Sequence, residues 1–440
     1  MAAFQDPAAP EATQDREGPR PPPLVAPVLR PVALFAAVAL AFLGNGLLGT
    51  LVSVRATLEG IGDAVIGLIM SSFFLGYFAG SVIAPRIIQR VGHIRSFAAL
   101  ASIASGLALA LPIFVDPLAW VALRLASGAC FAGMLIVVES WLNAAAPTHL
   151  RGRTLAVYNI VVYLAWAGSQ QLLPLAPAAG FTLFCLVSIL FSFSLVPVTL
   201  SRADMPGTVL ARRSGLRQLV AISPTAVAGA VALGAGMGAF WGMAPSWGEQ
   251  VGLARESLAT LLGLVLLGAL VLQWPLGWLS DLVDRRVVLG ASLLVAAGAA
   301  LALMQVDPGR TGLLFALAAA LGAFAMPGYA LCVAHANDQV DREELVAVSS
   351  ALILLYGAGS AAGPFLAGLA MTHLGPSALF GVVAACLLAA GLYAATRRLA
   401  APAAPDRRKA DYVAVPQTSH TALSMHREGT GEPDLDRAPT

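Results

Sequence analysis

Twelve apolar runs of membrane length are the feature that most limits how this chain folds. Each run is close to the ~20 residues that an α-helix needs to cross about 30 Å of hydrocarbon. Short polar or charged segments separate them, so the sequence predicts an all-α integral membrane protein with twelve transmembrane helices. The runs cover residues 32–53, 64–84, 96–114, 117–142, 154–175, 178–199, 224–247, 258–279, 287–304, 312–334, 345–371 and 378–395.

The overall composition agrees with a chain that lies mostly in lipid. Of its 440 residues 58% are hydrophobic and 11% are charged, whereas soluble domains carry roughly 25% charged residues. The 26 Lys and Arg residues nearly balance the 24 Asp and Glu residues. We therefore expect the lipid bilayer as a partner and no nucleic acid.

Polar tails and a polar linker divide the chain. The first tail is rich in Pro, Ala and charge and has no apolar core behind a basic start, which is typical of a disordered tail and not of a cleaved signal peptide. Within the second tail, only residues 412–415 are suited to docking as a short extended piece. The predicted division is a tail over 1–30, a bundle over 31–199, a linker over 200–222, a bundle over 223–396 and a tail over 397–440.

Basic residues concentrate on one side of the predicted membrane protein. Arg55, Arg255 and Arg310 lie on the opposite side and Arg124 lies within a span, which leaves 22 of the 26 on the side of the two tails. Cytoplasmic loops are enriched in Lys and Arg. We expect a multi-pass protein of the cell inner membrane with both termini in the cytoplasm.

The two sets of six runs read as copies of one another. Residues 277–286, Gly-Trp-Leu-Ser-Asp-Leu-Val-Asp-Arg-Arg, form a charged segment that we name the second hinge; a degraded copy 192 residues earlier, residues 85–95, is the first hinge. The repeat predicts two pseudo-symmetric six-helix bundles. At offsets of 192 to 194 residues, Gly60 matches Gly252, Gly76 matches Gly268, Asn143 matches Asn337 and Tyr163 matches Tyr356.

These motifs resemble those of the major facilitator superfamily over all twelve spans. The family's hinge pattern is Gly-x-x-x-Asp-Arg-x-Gly-Arg-Arg, and its fourth span carries Arg-x-x-x-Gly. The string Val-Glu-Ser-Trp-Leu-Asn at 138–143 is similar to one in a bacterial branch that includes YcaD-type proteins. The matching residues are Gly277, Asp281, Arg285 and Arg286 in the second hinge, Arg90 and Gly92 in the first, and Arg124 and Gly128 in the fourth span; Leu282, Asp284, Pro85, Gln89 and His93 depart from the pattern.

The resemblance implies a secondary active transporter, a symporter or antiporter that acts as a monomer and moves a small organic solute by alternating access. Its site would lie between the bundles near the bilayer midplane. An ion gradient, with protons as the first candidate, would drive it. The alternative is a membrane receptor or scaffold that kept the fold and lost transport, which the degraded first hinge favours.

Neither a cofactor, a metal nor an enzymatic activity is expected. The chain has no Gly-x-x-x-x-Gly-Lys segment and no paired carboxylates or His-Glu-x-x-His motif in a catalytic context. Its four cysteines fall inside apolar runs without Cys-x-x-Cys spacing, which indicates packing residues.

The charged hinges are the predicted gating element. A carboxylate and arginines at the helix ends can pair in one state and separate in another, which is how a rocking protein latches one face. The alternative is a loop that is charged only because basic residues fix orientation. The candidate latch residues are Arg90, Gly92, Glu139, Arg151, Gly277, Asp281, Arg285 and Arg286.

Arg124 is the sharpest candidate for solute binding. It lies within a span, where an Arg costs ~2.5 to 3.5 kcal/mol on insertion scales unless it is paired or hydrated. The resemblance associates it with proton coupling or with binding of a substrate anion. Snorkelling to the outer interface is the alternative.

Polar and aromatic residues on other spans complete the predicted cavity. Amides among flat rings suit a neutral or zwitterionic, partly aromatic solute. Taken singly, the Trp and Tyr residues could anchor at the interface and the Gln residues could join helices. The set is Asn45, Tyr163, Trp166, Gln170, Gln171, Trp241, Gln273, Trp274 and Tyr356.

Overall fold

The computed structural model describes residues 26–145, 151–200, 216–340, 344–400 and 412. Most of the predicted tails and linker therefore lies outside the described residues. The helices are α1 (Ala26–Leu58), α2 (Asp63–Val91), α3 (His93–Ile113), α4 (Pro117–Ala145), α5 (Arg151–Gln170), α6 (Thr182–Leu200), α7 (Leu216–Ile222), α8 (Pro224–Gln250), α9 (Arg255–Leu282), α10 (Arg285–Gln305), α11 (Thr311–Ala325), α12 (Gly328–Asn337), α13 (Leu345–Leu374) and α14 (Ala378–Ala400).

Eleven of the described spans are long and apolar enough to cross a membrane, with α11 and α12 counted as one. Helix α5 is not among them because its 20 residues begin with Arg151 and include Asn159, Ser169 and Gln170. Apolar side chains also cover outward faces: Val271 is 70% exposed and Leu282 61% exposed. Such surfaces are solvated by lipid and not by water, so the chain is a multi-pass membrane protein.

Several boundaries differ from those expected. Helix α5 ends at Gln170 and is followed by a short 3-10 turn at Leu173–Leu175, whereas the apolar run continues to residue 175. The tenth run is divided into α11 and α12 around Pro327, which cannot donate the backbone hydrogen bond that a continuous helix needs there. Asp281 lies in the last turn of α9, not in the loop after it.

Most helix contacts fall within one or the other half of the sequence. Helix α2 packs on α4, and α6 packs on both α1 and α3; in the second half, α9 packs on α11, and α14 packs on both α8 and α10. The halves meet where α2 packs on α13, α1 on α8 and α5 on α9. We name the end where α1 begins and α14 ends the terminal face, and the opposite end the distal face.

The internal repeat is visible in how the backbones approach each other. A Cβ on Gly76 would overlap the carbonyl oxygen of Leu125, and a Cβ on Gly268 would overlap that of Ala319. The positive φ angles of Gly60 (73°) and its counterpart Gly252 (70°) match as well. Small residues allow close helix crossing in membranes, so both halves use the same crossing at equivalent positions.

Candidate functional site

A cavity lies between the two halves. Its free space, part of it open to solvent, is about 1110 Å³, and it extends from Gly242 towards Ser81 and Ile353, which lie nearer the terminal face. Most of the lining is aromatic or aliphatic. The residues that carry polar or aromatic groups into it are Phe42, Asn45, Thr50, Phe73, Phe74, Tyr77, Phe78, Ser81, Arg124, Phe131, Trp166, Trp241, Tyr356 and Ser360.

Arg124 is the only charged side chain among the described residues that line this cavity. It is buried, with 3% of its surface exposed, so it does not snorkel to the interface. Its guanidinium carbon lies 4.5 Å from the centre of the Phe73 ring. Its buried Nε and Nη1 atoms have no hydrogen-bond partner in the described part of the chain. The cation is therefore stabilised by an aromatic face, while the N–H donors on Nε and Nη1 remain available.

Two indoles from opposite halves meet at the cavity. The Trp166 ring on α5 lies 4.6 Å from the Trp241 ring on α8, with an interplanar angle of 34°. The buried Nε1 of Trp241 has no hydrogen-bond partner among the described residues. Indole is a flat apolar surface with one donor, so this pair adds an aromatic wall and a further donor to the two donor atoms that Arg124 provides.

Half of the predicted binding residues line the cavity, namely Asn45, Arg124, Trp166, Trp241 and Tyr356. Tyr163 is buried but is not part of the lining. Gln170 is also buried outside the lining, where it accepts a hydrogen bond from Thr50 at 2.6 Å and donates one to Ser169 at 3.0 Å. These two bonds give Gln170 a packing role in the first half.

The remaining predicted binding residues lie elsewhere. Gln171 donates to the backbone oxygen of Ala259 at 3.0 Å and so links α5 to α9. Gln273 is buried outside the cavity lining. Trp274 is 73% exposed and shares an outward stripe with Val271 and Leu282, so it faces away from the cavity. Consecutive helical residues point about 100° apart, which is why Gln273 and Trp274 separate in this way.

The distal face is closed by contacts between the halves. Ser53 donates to the Gly242 carbonyl at 2.9 Å, and Thr57 donates to Ser246 at 2.7 Å. Gln250 donates to Asp63 at 2.6 Å, which adds a link between α8 and α2. Backbones also touch here, since a Cβ on Gly67 would overlap the Pro364 carbonyl and one on Gly368 would overlap that of Asp63. These bonds seal the cavity from this side.

The second hinge forms a compact ion network. Arg285 is 2% exposed and donates from Nε to Asp338 at 2.7 Å, from Nη1 to Ser280 at 3.0 Å, and pairs with Asp281 at 3.1 Å. Arg286 pairs with Asp284 at 2.8 Å. Ser280, Asp281, Asp284 and Asp338 all belong to the second half. These contacts fix α9, α10 and α12 to one another, and the role of the hinges as a latch stays a prediction.

Asp284 also caps α10. Its carboxylate accepts the Arg286 backbone N–H at 2.9 Å. Burial alone would raise the pKa of Asp284, but the side-chain and backbone hydrogen bonds from Arg286 and its positive charge outweigh burial and lower that pKa below 3.8. Arg286 further donates to the Arg397 carbonyl at 3.2 Å and so ties the hinge to the end of α14.

The first hinge is built differently. Arg90 is exposed and forms no ion pair with a described residue. Gly92 has a φ of 92°, a conformation that favours glycine, and separates α2 from α3. Glu139 is fully buried and accepts a hydrogen bond from Tyr158 at 2.9 Å. The side chain of Arg151 lies outside the described residues.

Several cavity residues are not apparent from the sequence. Phe73, Tyr77 and Phe131 surround Arg124 or the rings near it, with the Phe73 and Phe131 ring centres 6.3 Å apart. They lie inside apolar runs, where the sequence does not distinguish an aromatic residue that faces the cavity from one that faces lipid. The spacing of Phe73 and Tyr77 by one helical turn is the only signal, and it places them on one face of α2 without saying which face.

The chain is thus an all-helical, multi-pass membrane protein whose two sequence halves repeat the same helix crossings and meet around a cavity. The family model described as Major Facilitator Superfamily matches residues 34–202 and 226–425. The chain belongs to the Major Facilitator Superfamily.

Curated relatives support the same assignment. The chain is 26% identical over 358 residues to a protein of Escherichia fergusonii named uncharacterized MFS-type transporter YcaD, covering 81% of this chain and 92% of that protein. A YcaD protein of Salmonella typhimurium gives the same identity and coverage. The resemblance to the YcaD branch is thus confirmed.

Solved structures share the fold. The nucleoside transporter NupG aligns with a TM-score of 0.69 at 11% identity, covering 83% of this chain and 98% of its own. A bacterial homologue of the human lysosomal transporter Spinster, in an inward-facing and occupied conformation, aligns with a TM-score of 0.68 at 16% identity, covering 89% and 99%. Family and fold together support membrane transport.

Proposed function

We propose that this protein is a secondary transporter for a small organic anion with an aromatic part. The observation that carries the proposal is Arg124, a buried cation whose Nε and Nη1 atoms have no hydrogen-bond partner among the described residues, in a cavity whose other described lining residues are uncharged. Leaving a buried cation without an anion in a membrane protein costs ~2.5 to 3.5 kcal/mol on insertion scales. A ligand that supplies a carboxylate removes that cost, since guanidinium matches carboxylate with two parallel hydrogen bonds.

The aromatic part of the solute follows from the walls. Trp166 and Trp241 provide flat surfaces, and the free Nε1–H of Trp241 is a second donor. Of the predicted amides only Asn45 lines the cavity. One guanidinium and no carboxylate among the described lining residues favours an anion over the neutral or zwitterionic solute that the amide-rich set had indicated.

Alternating access is the proposed mode of movement. The distal face is held by Ser53, Thr57 and Gln250, and the cavity extends towards the terminal face. We place the terminal face in the cytoplasm because most Lys and Arg residues lie there. The units 31–199 and 223–396 would rock as six-helix bundles joined by the linker 200–222, with α5 as the twelfth span, and a monomer in the inner membrane suffices for this movement.

Proton coupling is proposed at Glu139. This carboxylate is fully buried in α4 and is bonded to Tyr158. Glu139 lies on α4, the helix that carries Arg124 and Phe131 into the cavity. A buried carboxylate in a transporter can take up a proton in one state and release it in the other. The other latch residues would then only set the relative stability of the two states.

The test is a matched set of indole ligands offered to the purified protein. Indole-3-acetate, its amide and tryptamine share one ring system and differ in charge. We expect only the acid to raise the melting temperature, because binding to the folded state stabilises it. Arg124→Met should weaken that binding by tenfold to a hundredfold, since a hydrogen bond to a charged group contributes about 1.5 to 3 kcal/mol. Arg255→Met, outside the cavity, is the control.

Flux measurements separate the remaining alternatives. Uptake of the acid into proteoliposomes that depends on a pH gradient supports a proton-coupled transporter. If Glu139→Gln loses this dependence but still exchanges internal for external acid, the result supports the role of Glu139. Binding without any flux favours the receptor or scaffold. Equal binding of acid, amide and amine, or binding unchanged in Arg124→Met, contradicts the anion site.

A further inference from the structure

The polar side chains of the cavity differ in whether the protein already uses their hydrogen bonds. Thr50 donates to the Gln170 side chain at 2.6 Å. Ser81 and Ser360 donate to backbone carbonyls about one helical turn earlier, at 2.7 and 3.0 Å. Asn45, by contrast, is half-buried and forms no hydrogen bond with another described residue. Its amide therefore offers a solute both N–H donors and a carbonyl acceptor.

Asn45 enters the cavity beside the two indoles. It lies on α1 between Phe42 and Gly46, and both of these positions contact Trp166: the Phe42 and Trp166 ring centres are 6.4 Å apart, and a Cβ on Gly46 would overlap the indole. Trp241 packs on the same indole, and its Nε1 has no hydrogen-bond partner among the described residues. We name Asn45 and the Nε1 of Trp241 the neutral end of the cavity.

A series of aromatic rings connects the neutral end to Arg124. The guanidinium lies over the Phe73 ring, and the Phe73 and Phe131 ring centres are 6.3 Å apart. The series continues from Phe131 to Phe42 at 5.2 Å and from Phe42 to Trp166 at 6.4 Å. The cavity thus presents a cation at one end, apolar rings along its length, and uncharged hydrogen-bonding groups at the other end.

We propose that Asn45 determines specificity for a hydroxyl group at the end of the solute opposite its acid, so that the solute class is the elongated hydroxyaryl acids. This inference rests on the proposed function, because it places the carboxylate at Arg124. The hydroxyl donates to the Asn45 carbonyl and accepts from the Nε1–H of Trp241. An aryl acid without such a group leaves the Asn45 amide unpaired when it displaces water, which lowers its affinity.

The test is a series of phenylalkanoates, from phenylacetate to phenylhexanoate, offered to the purified full chain. Each chain length is measured by calorimetry in three forms, with hydrogen, hydroxyl or methoxy at the para position. At the length that reaches from Arg124 to Asn45, we expect the hydroxyl acid to bind about threefold to tenfold more tightly than its parent, the gain of an ordinary hydrogen bond. The methoxy acid should gain less, because an ether only accepts.

Variants assign the gain to the neutral end. The readout is the ratio of the affinities for the hydroxyl acid and its parent, which a general change in packing does not move. Asn45→Leu removes the amide at similar size and should bring that ratio down to about one. Trp241→Phe keeps an aromatic ring, removes the indole donor and should lower the ratio in part. Gln171→Leu removes an amide that lies outside the cavity lining and is the matched control.

The outcomes separate this inference from the proposed function. Equal affinity for hydroxyl and parent acids at every chain length, or a ratio that Asn45→Leu leaves unchanged, would overturn the role of Asn45. The proposed function would still stand in that case if the parent acids bind and Arg124→Met weakens them. Parent acids that do not bind, or that bind Arg124→Met as tightly as the unaltered chain, would overturn the anion site, and the role of Asn45 would fall with it.

Discussion

The two hinges began as copies and now differ in the groups that accept hydrogen bonds. The second hinge supplies Asp281 and Asp338 to Arg285. At the equivalent offsets the first hinge has Gln89 in place of Asp281 and Ala144 in place of Asp338. The arginine that they bind is also replaced, because the residue equivalent to Arg285 in the first half is the buried His93.

The comparison shows that helix packing and hinge chemistry diverged independently after duplication. The close crossing of α2 with α4 is repeated between α9 and α11 at equivalent glycines. The contacts of Arg285 with Asp281 and Asp338 lie in the second half. The buried carboxylate of the first half, Glu139, has Val333 as its counterpart. Packing preserves the shape of both halves, whereas each half has acquired its own charged groups.

The largest effect should follow from removing Asp338. Its carboxylate is the acceptor for the Nε of Arg285, and the two side chains are 3% and 2% exposed. Asp338→Ala leaves a buried guanidinium short of an acceptor, which typically costs about 3 to 5 kcal/mol. The melting temperature in detergent should fall strongly. In the first hinge, Arg90→Ala should stay within roughly 0.5 kcal/mol because the side chain is exposed. Equal losses of stability in Asp338→Ala and Arg90→Ala would contradict the expectation that the second hinge contributes more to stability than the first.

A smaller effect is expected at the repeated helix crossings, and there the halves should behave alike. A Cβ on Gly128 would overlap the Phe73 carbonyl, and a Cβ on Gly322 would overlap that of Val265. Gly→Ala at either site forces the helices apart, and overpacking of this kind costs typically 1 to 3 kcal/mol. Thermal unfolding should report similar losses in the two variants.

The chain offers a matched control for that experiment in each half. Gly106 and Gly298 are also related by the repeat offset of 192 residues, and a Cβ on either meets open space. Gly→Ala at these sites should be neutral or slightly stabilising, because alanine favours the helix by about 0.5 to 1 kcal/mol. A large loss of thermal stability in Gly128→Ala with none in Gly322→Ala would mean that the two helix crossings differ between the halves, as the hinges do.

The sequence predicts the fold better than it predicts the site, for a physical reason. Span positions follow from the length of apolar runs, and the bilayer imposes that length. Helix α5 shows the limit, since its polar residues leave it outside the set defined by hydropathy. The direction in which a side chain points is harder to predict, because a membrane helix is apolar all round and carries little amphipathic signal.

Individual residues illustrate that limit. Arg124 stands out from sequence because a charge within a span is costly, and the structure places it at the cavity. Trp274 and Gln273 are neighbours, and nothing in the apolar run around them indicates which one faces lipid. Asp338 lies 53 residues from Arg285, so their pairing depends on how α12 ends beside α10, which no local pattern encodes.

The smallest effect should come from introducing the ion pair of the second hinge into the first hinge. Gln89→Asp with His93→Arg recreates the spacing of Asp281 and Arg285. A double-mutant cycle isolates the interaction between the two introduced groups. We expect a coupling of about 0.3 to 1 kcal/mol, the range of exposed pairs, because Gln89 is exposed and Ala144 offers no second carboxylate.

Adding Ala144→Asp to that double variant sharpens the comparison. If missing acceptors alone separate the hinges, the third change should raise the coupling well above 1 kcal/mol, towards the range of charge-assisted hydrogen bonds at about 1.5 to 3 kcal/mol. If the coupling stays small, burial is the deciding difference: Ala144 is exposed, whereas Asp338 is 4% exposed. The ion network would then depend on how the end of α12 packs against the second hinge. The corresponding position in the first half is exposed, so changing the residues alone could not restore the network there.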